Sequence, residues 1–423
     1  MLMKHFIIFA TCRSCFLSDS WALLFAKTRR LNAKQLSTYQ PTYMKRKIRM
    51  GMVGGGRGAF IGGVHRHAAA LDGLIELVCG AFSSSPEKSK ASGEDLMLPS
   101  ERCYGTFEEM FEKEKEREDG MDIVAIVTPN HMHFAPAKMA LENGFHVVCD
   151  KPVTFSLEEA EELKKIVEET GLLFALTHNY TGYPMIKHAK HLIKEGEIGK
   201  IRKVVVEYQQ GWLSFNEEKS GDNKQANWRT DPKKSGKAGS VGDIGTHAEN
   251  LAEYVTGLQI SELCADLTSF GEGRVLDDDA NMLLRFNNGA KGILHCSQVA
   301  NGEQNGLTIR VYGETGSLHW KQEVPQYLHH KTMGGQQIYQ PSVGELSDAA
   351  NNNTRIPFGH PEGYLEAFAN VYKNFANTVI KTMNGESPNE FDLDYPTIED
   401  GIRGMEFIDA VIKSGENSTW VKL

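Results

Sequence analysis

From Ile48 to about Thr177, short apolar runs alternate with amphipathic stretches. IRMGMVG, LIELVCGAFS, DIVAIVTP, FHVVCDKP and LLFALTHN are apolar almost throughout. Strands covered on both faces read that way, whereas a strand with one wet face alternates. The stretches between them have helical spacing and helix punctuation. TFEEMFEKEKERED places Thr106 three residues before Glu109, and SLEEAEELKKIVEETG repeats this with Ser156 and Glu159, then stops at Gly171. These are capping-box and C-terminal glycine signals. Strand–helix alternation over residues 44–176 predicts a parallel, doubly wound sheet.

Beyond residue 177 the period changes. KIRKVVVEYQQGW, ISELCADLTSFG, ANMLLRFNNGAKGILHCSQVA and GLTIRVYGETGSLHWKQE predict about six strands, with turn signals at Asn288-Gly289 and Glu314-Thr315-Gly316. We expect an open, mainly antiparallel sheet over residues 177–423, covered on one face by helices near 184–195, 246–256, 362–383 and 396–413. Polar residues 324–360, with Gly, Pro and Asn, read as a long irregular connection.

Composition narrows the function classes. The 423-residue chain is 40% hydrophobic and 24% charged, as globular proteins are, with a net charge of −9. That mild charge gives no footprint for nucleic acid or an anionic membrane. Seven scattered cysteines read as reduced, mostly core thiols, which suits a cytoplasmic protein. Residues 1–43 carry several Lys and Arg but one acid, Asp19, and no run long enough to span a bilayer. We read them as sequence upstream of a start at Met44. An organelle presequence and a weak export signal are the alternatives.

Candidate chemistry begins at GMVGGGRGAFIGGVHR, where the first apolar run meets six glycines (54, 55, 56, 58, 62, 63) before a helical stretch. Glycine lets a backbone approach a phosphate at a helix N-terminus; a plain tight turn is the alternative. In dinucleotide-binding units the turn follows the first strand, and an acid follows the second. Here the helix-packing glycine comes late, at Gly62, and Ser83, Ser84 and Ser85 replace the acid. Serines can bond a ribose and do not repel a 2′-phosphate, which Lys88 or Lys90 could meet. No arginine closely follows them, so NAD is favoured, with NADP possible. The cofactor set is Gly54, Gly56, Arg57, Ala59, Phe60, Ile61, Ser83, Ser84, Lys88, Thr128, Pro129, Asn130, His133, Asp150 and Lys151. His65 and Arg66 either begin the helix or touch a ligand. Asp277, Asp278 and Asp279 would point to alternating faces, so we read a solvated strand start and predict no metal.

TPNHMH (128–133), CDKP (149–152) and GSVGDIGTHAENL (239–251), in this order, resemble the Gfo/Idh/MocA family of nicotinamide-dependent sugar and polyol oxidoreductases. The resemblance runs from about Lys47 to the C-terminus. It implies an α/β fold, with an N-terminal Rossmann domain followed by an α/β domain with an open, largely antiparallel sheet. It also implies that Lys151, Asp243 and His247 surround the reacting carbinol. Asp150 stands where the family has Glu. GAFIGGVHR, NWRTDP and VLDDDANMLLRF look most like the levoglucosan-dehydrogenase and glycoside-3-dehydrogenase branch. The implied activity is hydride transfer from a ring alcohol of a sugar, glycoside, anhydrosugar or cyclitol, by a homodimer or homotetramer. An NAD-dependent glycosidase and a non-catalytic sensor are the rival readings. His247 suits the base, Lys151 the electrostatic partner and Asp243 the orienter of the imidazole. Tyr180, Trp228 and Arg229 either line a sugar site or anchor loops.

Overall fold

The computed structural model describes residues 46–221 and 223–423; segment 1–43 and the start at Met44 lie outside them. Five parallel strands, β1 (Ile48–Gly54), β2 (Ile75–Ala81), β3 (Ile123–Val127), β4 (His146–Cys149) and β5 (Phe174–Leu176), form a sheet in the order β2-β1-β3-β4-β5. Every residue of β3, β4 and β5 is buried, which accounts for their unbroken apolar runs. Helices α1 (Phe60–Leu71), α2 (Pro86–Asp95), α3 (Phe107–Lys115), α4 (Phe134–Glu142) and α5 (Leu157–Thr170) lie between or beyond them.

The caps act as the spacing predicts, one residue wider. Thr106 and Ser156 accept from the N–H groups of Glu109 and Glu159. Each glutamate reaches back past the cap, to the N–H of Gly105 and of Phe155. Gly171 closes α5 in the left-handed region, φ +67°.

The second sheet has nine strands rather than about six. Its members are β6 (Lys203–Gln209), β7 (Ile260–Thr268), β8 (Asp279–Phe286), β9 (Lys291–Ser297), β10 (Gly306–Tyr312), β11 (Gly316–Lys321), β12 (Leu328–Thr332), β13 (Gly335–Tyr339) and β14 (Val421–Lys422). Their order is β13-β12-β11-β10-β6-β9-β8-β7-β14. Pairing is antiparallel except between β6 and β9, which run parallel. The stretch 324–360 is therefore not irregular: it holds the β12–β13 hairpin and the short helix α10 (Asp348–Asn352), and at most one residue in each of these is buried except for Leu328 and His330 on β12.

Helices α6 (Pro184–Lys194) and α9 (Thr246–Thr256) pack on this sheet. Short α7 (Lys224–Arg229) and α8 (Pro232–Ser235) precede α9. The last two long helices, α11 (Tyr364–Met383) and α12 (Ile398–Asn417), return to the first half: α11 packs on α1 and α12 on α5. Tyr372 of α11 meets His65 of α1, oxygen to Nδ1, at 2.7 Å.

All five described cysteines are free thiols; only Cys264 is not fully buried. The Asp277–Asp278 pair is buried, against the solvated strand start expected. Asp277 accepts from the N–H groups of Gly239 and Val241 and from the Ser240 hydroxyl. Asp278 accepts from the N–H groups of Phe270 and Gly271 and pairs with Arg274. Asp277 thus pins the turn leading into α9, and Asp278 the loop after β7. Among the described residues no helix is long and apolar enough to cross a membrane.

Candidate active site

A cavity of about 1050 Å³ lies at the C-terminal ends of the parallel strands and continues between the two sheets. Open α/β sheets bind ligands at that edge. One end is the glycine turn. A Cβ on Gly62 would sit 2.4 Å from the Gly55 Cα, and one on Gly56 would sit 2.7 Å from the Phe82 carbonyl oxygen. No side chain at either position fits without moving backbone. The late Gly62 is thus the helix-packing glycine, and the insertion adds a loop before α1. No side chain caps α1 at Ala59. Its first N–H groups are left for a ligand, as an anion site requires. Arg66 locks the turn from behind, donating to the Gly55 carbonyl at 2.8 Å.

Gly54, Gly56, Arg57, Ala59, Phe60 and Ile61 line the cavity, as do Ser83, Ser84, Lys88, Thr128, Pro129, Asn130, Asp150 and Lys151. The turn, the uncapped helix start and this wall of donors fit a dinucleotide. Arg57 pairs with Asp95 on α2, so its charge is already met. One residue of the expected set lies elsewhere. His133 does not line the cavity; its Nδ1 and Nε2 meet the carbonyls of Pro152 and Thr128 at 2.7 and 2.8 Å, tying two loops together. His65 is buried against Phe368 and Tyr372, and Arg66 serves the turn, so neither reaches the cavity. Asn130 lines it and also donates to the Ser235 carbonyl at 2.9 Å.

At the other end Lys151, Asp243 and His247 converge. Lys151 follows β4. Asp243 lies in a π-helical turn, Val241–Gly245, that runs into α9, which carries His247. Lys151 donates to both the backbone oxygen and Oδ1 of Asp243, the latter at 3.0 Å. Oδ2 accepts from Arg229 Nε at 3.0 Å and Gln298 Nε2 at 2.7 Å. Burial would raise the Asp243 carboxyl, but Arg229 and then Lys151 outweigh it and hold it well below the usual carboxylate range.

Asp243 does not hydrogen-bond His247: its carboxylate accepts instead from Lys151, Arg229 and Gln298. The neighbour of His247 is instead His178, with the two Nδ1 atoms 3.4 Å apart. Tyr180 stands edge-on to the His247 ring at 4.8 Å between centroids. Burial, then Lys151 and His178, push the His247 imidazole well below its ordinary value, so it is neutral near pH 7. Burial pushes His178 down to about 3, with Lys151 adding to it.

Sequence reading missed the group at the end of β5. Thr177 donates to Asp150 Oδ1 at 2.9 Å, and buried Asn179 lines the cavity with an amide nitrogen that has no partner. The one available signal was position: THN closes the last parallel strand. Tyr180, Trp228 and Arg229 all reach the cavity. Tyr180 heads a neutral network, with its oxygen 2.5 Å from that of Tyr208. Tyr208 and Gln210 both donate to Asn305 Oδ1, at 2.6 and 2.9 Å. The Arg229 guanidinium stacks on the Trp228 ring at 4.2 Å.

Comparison with known proteins identifies the family. Residues 48–178 match the oxidoreductase family with NAD-binding Rossmann fold, and residues 186–319 match the GFO/IDH/MocA C-terminal domain. An uncharacterized oxidoreductase of Bacillus subtilis is 34% identical over 90% of this chain and 98% of its own. Levoglucosan dehydrogenase of Pseudarthrobacter phenanthrenivorans is 29% identical over 64% of this chain and 73% of its own. An inositol dehydrogenase homolog of Azotobacter vinelandii, solved with NADH and myo-inositol, is 35% identical and superposes with a TM-score of 0.83, covering 89% of this chain and 98% of that one. The chain belongs to the Gfo/Idh/MocA oxidoreductase family and binds NAD.

Proposed function

We propose that the protein is an NAD-dependent dehydrogenase of a ring secondary alcohol, its substrate a cyclitol, pyranose, glycoside or anhydrosugar. The observation that carries this is one cavity holding the dinucleotide turn at one end and Lys151, Asp243 and His247 at the other. The inositol- and levoglucosan-linked relatives support the substrate class. NAD, when bound, supplies the hydride acceptor.

The chain's own residues handle the proton and the oxygen. An ammonium has three N–H donors. Asp243 takes two from Lys151, leaving one for the substrate oxygen. That donor stabilises negative charge as the hydroxyl loses its proton. Neutral His247 accepts the proton at Nε2, because His178 faces Nδ1. Asp243 anchors the cation rather than the base. Tyr180, Tyr208, Gln210 and Asn305 present phenols and amides to the remaining hydroxyls. The test is kinetic. His247→Gln should lower kcat by roughly 10²–10⁴-fold, the usual worth of a general base, with NADH affinity unchanged. Full turnover in a folded His247→Gln enzyme would remove His247 from this role.

A further inference from the structure

Lys224, at the start of α7, lies in the second half of the chain yet lines the cavity beside the glycine turn. Its Nζ is 3.4 Å from where a Cβ on Gly58 would stand. Gly58 is two residues ahead of α1, whose first N–H groups no side chain caps. Lys224 is exposed, and no acid among the described residues pairs with it. A cation with no ion pair among the described residues, held over an uncapped helix start, has the chemistry of a phosphate contact.

The rest of α7 points the same way. Asn223 caps it, accepting from the N–H groups of Gln225 and Ala226 at 3.1 and 3.2 Å. At its far end Arg229 donates to Asp243. Gln225 Oε1 accepts from Arg229 Nη1 at 2.5 Å and from Trp228 Nε1 at 3.3 Å, so these side chains are tied into one unit. One short helix thus touches the glycine turn at its first residue and the Asp243 carboxylate at its last.

We propose that Lys224 contacts the dinucleotide pyrophosphate, and that this contact fixes α7 as the wall of the polyol site. Cofactor binding therefore strengthens polyol binding, a coupling that is reciprocal by linkage. The second half rests on the polyol reading above; the pyrophosphate contact rests only on NAD binding.

The probes are NADH and reduced nicotinamide riboside, which carries no phosphate, titrated by fluorescence into the whole protein. Lys224→Met keeps the stem and removes the charge. It should weaken NADH by about five- to tenfold, a charge-assisted contact discounted for exposure, and flatten the salt dependence of binding. Affinity for the riboside should stay within twofold, and Lys224→Arg should restore most NADH binding. The proposal is overturned if Lys224→Met binds NADH as the wild type does, or if both probes weaken equally. Failure of the wild type itself to bind NADH would instead overturn the cofactor reading.

Discussion

Replacing Asp243 with Asn tests the ion cluster at the heart of the site. The carboxylate accepts from Lys151 on one oxygen and from Arg229 and Gln298 on the other. Asn cannot reproduce this. If its oxygen faces Arg229 and Gln298, its NH₂ faces the Lys151 ammonium; flipped, it faces the other two donors. Either way one donor meets another and two cations lose their counter-charge. Lys151 and Arg229 are 11% and 23% exposed, so water gives little relief. Removing one partner of a buried pair costs about 3–5 kcal/mol, which we reduce to about 3 for this partial access. For roughly 380 folded residues, unfolding entropy near 0.8 kcal/mol/K converts that to a Tm lowered by about 4 °C. Differential scanning fluorimetry reads the shift, and NADH titration shows whether the cofactor end survives. Turnover should fall at least 100-fold, because Lys151 loses its counter-charge and one of the two acceptors that position it. An Asn variant with wild-type Tm and wild-type turnover would refute the reasoning.

Other consequences follow from the same geometry. Gly62→Ala places a methyl group 2.4 Å from the Gly55 Cα, so α1 must move off the turn; overpacking costs about 1–3 kcal/mol, and NADH affinity should drop at least tenfold by titration. Stability should fall on acidification: burial holds His65 and His146 down to about 4 and His178 to about 3, against about 6.5 unfolded. The unfolded chain then binds more protons below pH 6.5, and each such group costs about 1.4 kcal/mol per pH unit until its folded value is reached. Glu249, raised well above its ordinary value by burial and then Glu253, acts in the opposite sense and offsets about one of them. Urea midpoints should therefore fall between pH 6.5 and 5; flat midpoints would contradict this burial. Tyr208→Phe removes the donor to Asn305 and should raise the substrate KM several-fold while leaving NADH binding unchanged, as paired titration and steady-state kinetics would show.

The elements legible in the sequence were those whose burial leaves a periodic or continuous mark. The core strands β3–β5 are buried on both faces, and the caps of α3 and α5 are written locally as Thr106/Glu109 and Ser156/Glu159. The β12–β13 hairpin was not legible, because LHHKT and GQQIY sit at a sheet edge, where little apolar surface is buried. Nor does hydrophobic pattern state strand direction, so the parallel β6–β9 pairing was hidden. Asp277 and Asp278 misled because their partners are backbone N–H groups in the Gly239–Val241 turn and after β7. At the site, Lys151, Asp243 and His247 were found through motifs, but their partnerships were not. Asp243 is held by Lys151, Arg229 and Gln298, and the ring that meets His247, His178, lies 69 residues earlier in the chain.

The most direct test mixes the protein with NAD and a panel of cyclitols, glucosides and levoglucosan, following NADH absorbance and product mass together. Wild type and Lys151→Met run side by side. The account predicts one NADH per keto product from at least one ring alcohol, with Lys151→Met folded, NADH-binding and slower by roughly 10²–10³-fold for the loss of one oxyanion donor. Sugar release without net NADH, or full turnover by Lys151→Met, would contradict it.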